Sequence, residues 1–142
     1  MIIRRLLKND LGKLAGLYEQ FWNETSDISE MGRQFDLMDK ENTHILLVAE
    51  DDGSLLGAVM GIICRELYGD CRPFLVVENM IVDQERRRQG IGYALLTELE
   101  RLAKQRDCTQ MILVTEVERK DACGFYENYG FALQNKGFKK KI

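Results

Sequence analysis

The 142-residue sequence predicts an α/β domain whose mixed central sheet is flanked by helices. Helical segments with apolar residues every three or four positions alternate with short strand-like segments in the second half. A hairpin turn in the first half indicates antiparallel early strands, which makes the sheet mixed. The predicted order is β-α-α-β-β-β-α-β-α-β. A second independent core would be too small to be stable, so residues 1–142 are predicted to form one domain.

The first third of the chain is predicted to form one strand and two helices. Residues 2–7 have the composition of a short strand. A helix over residues 11–22 follows from its apolar periodicity, with Asn9 or Asp10 as the N-cap. A second, more polar helix is predicted over residues 28–39.

Three strands follow, at residues 43–50, 55–66 and 74–82. The turn Asp51-Asp52-Gly53-Ser54 has the composition of a tight hairpin between the first two. Gly57 and Gly61 suit a curved or bulged strand.

The last third is predicted to alternate helices and strands. Residues 91–106 carry one apolar stripe and predict a helix. Residues 110–115 form a short apolar strand of the kind that is buried inside a sheet. A helix over residues 121–129 ends at Gly130, and one or two strands are predicted after Phe131.

Composition excludes several classes of protein. The chain is 45% apolar and 30% charged, which is typical of globular domains. It has no apolar run of the roughly 20 residues that span a bilayer. The N-terminus lacks the apolar stretch of a signal peptide, so a cytoplasmic protein without a membrane partner is expected. The formal charge of −3 argues against a nucleic-acid partner.

The cysteines do not predict a metal site. No two of the four are spaced as C-x-x-C, and the single His44 has no close cysteine. We therefore expect four reduced thiols, no metal and no Cys-His nucleophile.

Charge is divided unequally along the chain. Residues 1–71 contain 7 basic and 13 acidic side chains, whereas residues 72–142 contain 13 and 10. Such a division can mark a half that meets an anionic ligand, or it can be scatter on a solvated surface.

The segment from Val82 to Tyr93 carries the most chemical information. It joins a predicted strand to a helix, and Gly90 and Gly92 lie at the helix start beside three arginines. Free N–H groups and the helix dipole favour an anion there, so the segment predicts a phosphate or pyrophosphate cradle. A tight turn with solvated arginines is the alternative. The Gly-Lys-Ser/Thr of a Walker loop is absent, and so is the third glycine of a dinucleotide fingerprint.

This loop resembles motif A of the GNAT acetyltransferase superfamily, Arg/Gln-x-x-Gly-x-Gly/Ala, through Arg87, Gly90 and Gly92. Residues 78–83 resemble the fourth strand of that family. Residues 122–131 resemble its motif B, Ala-x-x-Phe-Tyr-x-x-x-Gly-Phe. Both motifs occur in the family's order, so the resemblance covers essentially the whole chain and implies the family's splayed sheet.

The resemblance implies acetyl-CoA, or a related acyl-CoA, as the cosubstrate. The loop amides would hold the pyrophosphate, the fourth strand would pair with the pantetheine arm, and an arginine among Arg86, Arg87 and Arg88 could meet the ribose phosphate. A strand amide would polarise the thioester carbonyl. The implied cofactor-binding residues are Met80, Ile81, Val82, Arg87, Arg88, Gln89, Gly90, Ile91, Gly92 and Tyr93.

Two catalytic residues are predicted. Tyr126 matches the family tyrosine near the CoA sulfur and would protonate the departing thiolate, although a packing role is the alternative. Glu78 interrupts an apolar strand and is the first candidate for the base, directly or through a water, unless it is simply exposed or salt-bridged. Glu116 is the second candidate. Arg119 stands where many relatives have an asparagine that contacts CoA, and its role stays open.

The resemblance also places the acceptor site between the first helices and the hairpin strands. Aromatic and acidic residues at the end of the first helix and the start of the next loop suit a small-molecule or peptide amine, with a core stripe of the helix as the alternative for the aromatics. These residues are Tyr18, Phe21, Trp22, Glu24 and Asp27. The predicted activity is direct N-acetyl transfer to a primary amine. The alternative is a non-catalytic acyl-CoA-binding or regulatory module on the same fold. A homodimer is expected by analogy only.

Overall fold

A computed structural model describes all 142 residues of the chain. It contains two compact units, Met1–Ile112 and Leu113–Ile142. The prediction of a single domain therefore stays a prediction. No helix in the structure is both long enough and apolar enough to cross a membrane.

The first unit is built on a five-stranded mixed sheet, which confirms the predicted fold class. The strands lie in chain order across the sheet. The first four pair antiparallel, and the last pairs parallel with the fourth. They are β1 (Ile2–Arg5), β2 (His44–Asp51), β3 (Ser54–Cys64), β4 (Phe74–Val82) and β5 (Met111–Ile112).

Three helices belong to this unit and a fourth to the second unit. They are α1 (Leu11–Trp22), α2 (Ile28–Glu41), α3 (Ile91–Gln105) and α4 (Lys120–Tyr129). Short 3₁₀ turns at Lys8–Asp10 and Gln84–Arg86 precede α1 and α3. The predicted apolar stripe of α3 lies in the core, where Leu95, Leu96 and Leu99 are fully buried.

Two glycines of β3 allow close packing. A Cβ atom on Gly61 would lie 2.7 Å from Cδ1 of Leu99 in α3, and one on Gly57 would meet the backbone of β4. Their role is therefore close approach, whereas the irregular pairings of the sheet lie at Ala49/Glu50 and Ala58/Met60.

The predicted hairpin turn joins β2 to β3. Asp51 pairs with Ser54, and the two residues between them, Asp52 and Gly53, have φ values of 46° and 75°. Two positive φ values in a two-residue loop match the right-handed twist of the flanking strands. The Asp-Gly pair explains why this turn forms here.

Asp10 occupies the predicted N-cap position of α1, but its carboxylate does not cap the helix. It accepts hydrogen bonds from Arg4 Nη1 at 2.7 Å, Arg4 Nη2 at 3.0 Å and the Leu7 amide at 2.8 Å. Arg4 Nε also donates to Glu50 at 2.6 Å. The Arg4 guanidinium holds the pKa of Asp10 below its ordinary value despite the burial of that carboxyl. One arginine therefore ties the first 3₁₀ turn to β1 and β2.

The prediction for residues 110–115 was partly wrong. β5 covers only Met111–Ile112 and is an edge strand, with Ile112 and Val114 exposed. No strand lies beyond it to cover the outer side, so its apolar composition does not reflect burial inside the sheet.

The prediction of strands after Phe131 was also wrong, because residues 131–142 form none. This segment holds four lysines within residues 136–141 and lacks an apolar face, and Phe138 is 87% exposed. Gly130 ends α4 as predicted, in the left-handed conformation with φ 118°.

Candidate active site

A bulge in β4 follows Glu78 directly. Ala58 of β3 pairs with Ile81 and Met60 pairs with Glu78, so Val59 alone faces both Asn79 and Met80. Asn79 has φ 49°, in the left-handed region that asparagine tolerates better than most side chains. Asn79 was not among the residues predicted from the sequence, although an asparagine inside an apolar strand is a signal for such a bend.

Beyond the bulge, β4 has a free side. β5 pairs only with Leu75 and Val76, so residues 77–82 have no strand partner on that side of the sheet. The other side continues to pair with β3 up to Val82. An unpaired strand edge offers backbone donors and acceptors to an extended ligand. The structure thus shows the splay expected of β4 and places Met80, Ile81 and Val82 on it.

The loop after β4 is shaped by Asp83 and two left-handed residues. Asp83 Oδ1 accepts from the Glu85 amide at 2.9 Å, which starts the 3₁₀ turn. Arg88 and Gly90 then have φ values of 61° and 79°, and α3 begins at Ile91.

The N-terminus of α3 has the features of an anion site. Gly90 is the N-cap and has no side chain with which to cap the helix, and no acidic residue lies in the first turn. The first N–H groups of a helix have no acceptor inside it, and the helix dipole is positive there. An anion would therefore meet several unshielded donors at Ile91 and Gly92.

Three consecutive arginines precede this helix end. Arg86, Arg87 and Arg88 are all exposed, and none forms an ion pair with a carboxylate in the structure. Arg87 Nε donates to the Val82 carbonyl at 3.4 Å. The segment from Val82 to Tyr93 also contains Asp83 and Glu85, so three arginines face two carboxylates and its charge is positive by one. The loop residues predicted to bind a cofactor, Arg87 to Tyr93, lie together in this segment.

Glu78 lies on the surface at the start of the bulge. Its side chain is exposed and has no ion-pair partner. This exposure matches the alternative reading of Glu78 as an exposed strand residue, and its role as the base stays a prediction. The carboxylate is open to a ligand or a water beside the bulge.

The aromatic residues of α1 form a cluster at the C-terminal end of the helix. The rings of Tyr18 and Trp22 lie 5.2 Å apart, and those of Phe21 and Trp22 lie 4.7 Å apart, both edge to face. Phe21 and Trp22 are 37% and 44% exposed, so the core stripe explains only Tyr18, which packs partly against the core. Burial raises the pKa of Tyr18 to about 12, and a hydrogen bond with the Asn79 side chain opposes this rise.

The two acidic residues after α1 differ. Asp27 is the N-cap of α2 and accepts from the Glu30 amide at 2.9 Å, so its carboxylate has a structural role. Glu24 is exposed and remains a candidate for contact with a cationic acceptor.

The second unit contains Tyr126, on α4. Its ring packs edge to face against Phe125 at 5.2 Å and Phe131 at 5.9 Å, and all three side chains are half-buried. The Tyr126 carbonyl accepts from the Gly130 and Phe131 amides at 3.2 and 3.0 Å, which closes the helix end. The motif therefore forms one compact aromatic turn around Tyr126.

Glu116 and Arg119 also belong to the second unit. Glu116 Oε1 forms an exposed ion pair with Lys139 Nζ at 2.7 Å, and this contact lowers the pKa of Glu116. Arg119 occupies the N-cap position of α4 and donates to Thr115 Oγ1 at 3.3 Å.

The structure contains no group of three or more His, Cys, Asp or Glu side chains that could hold a metal ion. All four cysteines are free thiols.

Comparison with known proteins identifies the family of the chain. A model of the acetyltransferase (GNAT) family matches residues 12–131. An L-methionine sulfoximine/L-methionine sulfone acetyltransferase of Pseudomonas paraeruginosa is 27% identical over 79% of this chain and 64% of its own. Glucosamine 6-phosphate N-acetyltransferase 1 of Oryza sativa subsp. japonica is 32% identical over 65% of this chain and 55% of its own. The chain thus spans less than two thirds of the length of these relatives.

A solved structure has the same fold. The crystal structure of glucosamine-6-phosphate N-acetyltransferase from Arabidopsis thaliana matches with a TM-score of 0.88 over 99% of this chain and 97% of the other, at 24% identity. The family match covers most of the chain and includes the bulged strand, the arginine-flanked loop and the tyrosine motif, so the chain belongs to the GNAT acetyltransferase family.

Proposed function

We propose that this chain is an N-acetyltransferase that moves an acetyl group from acetyl-CoA directly to a primary amine. One observation carries the proposal: the free side of β4 leads through a short loop to an uncapped N-terminus of α3 that lacks acidic residues. A free strand edge suits an amide-containing arm, and a helix N-terminus suits a pyrophosphate. Acetyl-CoA contains both, and GNAT acetyltransferases use it.

The cofactor would bind along this path. Backbone groups of Met80, Ile81 and Val82 would pair with the pantetheine arm on the free side of β4. The amides from Arg88 to Tyr93 would hold the pyrophosphate, and an arginine among Arg86, Arg87 and Arg88 would meet the ribose phosphate. The exposure of the three arginines and their lack of carboxylate partners support this assignment.

The transfer needs a base, an oxyanion donor and an acid. Glu78, directly or through a water, would remove a proton from the ammonium group of the acceptor. The amine lone pair would then form the new C–N bond at the thioester carbonyl, whose oxygen would be stabilised by an amide of the bulged strand. Collapse of the tetrahedral intermediate breaks the C–S bond, and Tyr126 would give its proton to the CoA thiolate. The second proton of the acceptor nitrogen would pass through water to solvent, and the Tyr126 phenolate would regain a proton from solvent.

The contacts of the two glutamates favour Glu78 as the base. Glu116 is engaged by Lys139, and this contact lowers its pKa and so weakens it as a proton acceptor. Glu78 is exposed beside the bulge and has no such cation.

The acceptor is proposed to be a small-molecule or peptide amine. Phe21 and Trp22 present exposed rings at the end of α1, and Glu24 lies two residues beyond, so the surface suits a cation. The relatives are named for an amino-acid analogue and an amino sugar phosphate. These names support an amine as the acceptor and leave its identity open.

Calorimetric titration with acetyl-CoA tests the cofactor assignment. Gly92→Glu places a negative charge at the helix N-terminus and is expected to abolish binding, whereas Thr97→Glu adds the same charge to an exposed position further along α3 and should retain it. Equal binding by both variants would contradict the proposed cradle.

A thiol-release assay with a panel of amines tests the activity. We expect CoA release with acetyl-CoA and at least one primary amine among amino acids, amino sugars, polyamines, aminoglycosides and peptides. Binding of acetyl-CoA without turnover of any amine would instead identify a non-catalytic acyl-CoA-binding module.

A further inference from the structure

A three-bond contact joins the end of α1 to the start of the loop after β4. Gln20 Nε2 donates to Asp83 Oδ2 at 3.3 Å, and Gln20 Oε1 accepts from the Gln84 amide at 3.2 Å. Gln84 Nε2 donates in return to the Gln20 carbonyl at 2.8 Å. Both glutamines therefore use side chain and backbone in one reciprocal contact across 64 residues of sequence.

This contact joins two functional ends of the first unit. On one side, Gln20 is followed directly by Phe21 and Trp22, the exposed rings of the proposed acceptor surface. On the other side, Gln84 opens the 3₁₀ turn that leads to Gly90 and the N-terminus of α3.

Asp83 makes the contact sensitive to the loop conformation. Its Oδ1 accepts from the Glu85 amide inside the turn, while its Oδ2 accepts from Gln20 of α1. One carboxylate therefore bonds both to the turn and to α1. If the turn shifts, the hydrogen bonds of Gln20 must shift or break. These three residues therefore connect the end of α1 to the loop by hydrogen bonds.

We propose that Gln20 and Gln84 are positioning residues that link occupancy of the loop by acetyl-CoA to the arrangement of the aromatic end of α1. The proposal rests on the proposed function. Cofactor bound at the N-terminus of α3 favours one loop conformation, and that conformation holds α1 in the arrangement that receives the amine. Because such coupling is reciprocal, the bound amine also favours the loop that binds acetyl-CoA.

The chain provides its own reporter of this link. Trp22 is the only tryptophan, it lies two residues after Gln20, and it is 44% exposed. A change at the end of α1 should therefore alter its fluorescence. Wild-type protein titrated with acetyl-CoA is expected to show a saturable change in Trp22 emission, with the same midpoint as calorimetry.

The double variant Gln20→Ala/Gln84→Ala removes the side chains of the contact. We expect it to retain acetyl-CoA binding, weakened less than about tenfold because no group at the helix N-terminus is lost, while the emission change disappears. With the best amine of the panel, its KM for the amine should rise about three- to tenfold, as expected for lost neutral hydrogen bonds, with little change in kcat. Gln34→Ala, on α2, is the matched control, because the side chain of that glutamine bonds within its own helix.

The outcomes separate the two proposals. The link is overturned if the double variant shows the same change in Trp22 emission as the wild-type protein. It is also overturned if the wild-type protein binds acetyl-CoA without any change in Trp22 emission. Absence of acetyl-CoA binding by the wild-type protein contradicts the proposed function instead. The single variant Gln84→Ala guards against a folding defect, since it leaves two of the three hydrogen bonds in place.

Discussion

Gly57 of β3 lies so close to Ile81 of β4 that a Cβ atom on Gly57 would be 2.7 Å from the Ile81 carbonyl oxygen. The same Cβ would also lie 3.2 Å from Leu95 and 3.3 Å from Ile91 in α3. Ile81 follows the bulge and is one of the proposed pantetheine-binding residues. The position of β4 beside β3 therefore depends on the absence of a side chain at residue 57.

Gly57→Ala should destabilise the protein and weaken acetyl-CoA binding. A methyl group would push β4 or α3 outward, and such overpacking costs about 1–3 kcal/mol. Urea unfolding measures the stability. Gly16→Ala, at an exposed position of α1 with open space around it, is the control and should stabilise by about 0.5–1 kcal/mol. Equal stabilities for the two variants would show that β4 accommodates the methyl group.

Asn79 should tolerate glycine and reject a β-branched residue. Its φ of 49° costs a typical L-residue about 1–2 kcal/mol, a cost that glycine avoids. We expect Asn79→Gly to keep the bulge, whereas Asn79→Val lowers both the unfolding free energy and the acetyl-CoA affinity. Equal behaviour of the two variants in urea unfolding and calorimetry would disprove the conformational role of this residue.

Arginine-to-alanine variants should identify the contact to the ribose phosphate. One of Arg86→Ala, Arg87→Ala and Arg88→Ala is expected to weaken acetyl-CoA binding about tenfold or more, since hydrogen bonds to charged groups are strong. The same variant should bind 3′-dephospho-acetyl-CoA as tightly as the wild-type protein does. Arg33→Ala, which removes a surface ion pair of α2, serves as the control. If all three loop variants bind both ligands like wild type, the arginines are solvated surface.

Tyr126→Phe should lower kcat far more than it alters acetyl-CoA binding. Loss of a general acid costs roughly a hundredfold or more in turnover, whereas the retained ring preserves the packing against Phe125 and Phe131. Tyr129→Phe makes the same change at the last residue of α4 and should leave kcat within about twofold, as for a residue outside the chemistry. Unchanged turnover in Tyr126→Phe would remove this residue from the mechanism.

Substitution of the two candidate bases should separate them. Glu78→Gln is expected to reduce kcat roughly a hundredfold, the usual scale for a general base. The pKa of Glu116 is lowered by Lys139, so this carboxylate stays ionised as pH falls through the usual carboxyl range and accepts a proton poorly. Glu116→Gln should therefore leave kcat and its pH profile unchanged. The reverse result, measured from acid to neutral pH, would assign the base to Glu116.

The elements with strong local signals were predicted well. α1 and β4 have the bounds expected from their apolar patterns, and the Asp52-Gly53 turn forms as its composition indicates. The loop from Arg87 to Tyr93 lies between strand and helix as predicted. These features follow from periodicity, turn chemistry and helix-end chemistry, which depend on near neighbours in sequence.

Features that depend on distant partners were missed. β5 is short because its pairing with β4 ends at Val76, and no pattern within residues 110–115 indicates where the two strands stop pairing. The Gln20–Gln84 contact joins polar residues that would suit any exposed surface. The bulge at Asn79 arises from the register between β3 and β4, which is a property of the pair of strands.

The two-residue hairpin and the ion pairs of Arg4 with Asp10 and Glu50 have a consequence for the order of folding. β2 and β3 are joined by the shortest of turns, whereas β1 reaches its place only when Ile3 meets Ala49, far along the chain. Closing the longer loop costs more chain entropy, and distant pairings slow folding. We therefore expect the hairpin to nucleate the sheet and β1 to dock late, with Arg4 locking the docked strand through Asp10 and Glu50. Loss of Arg4 should then speed unfolding while leaving the folding rate nearly unchanged.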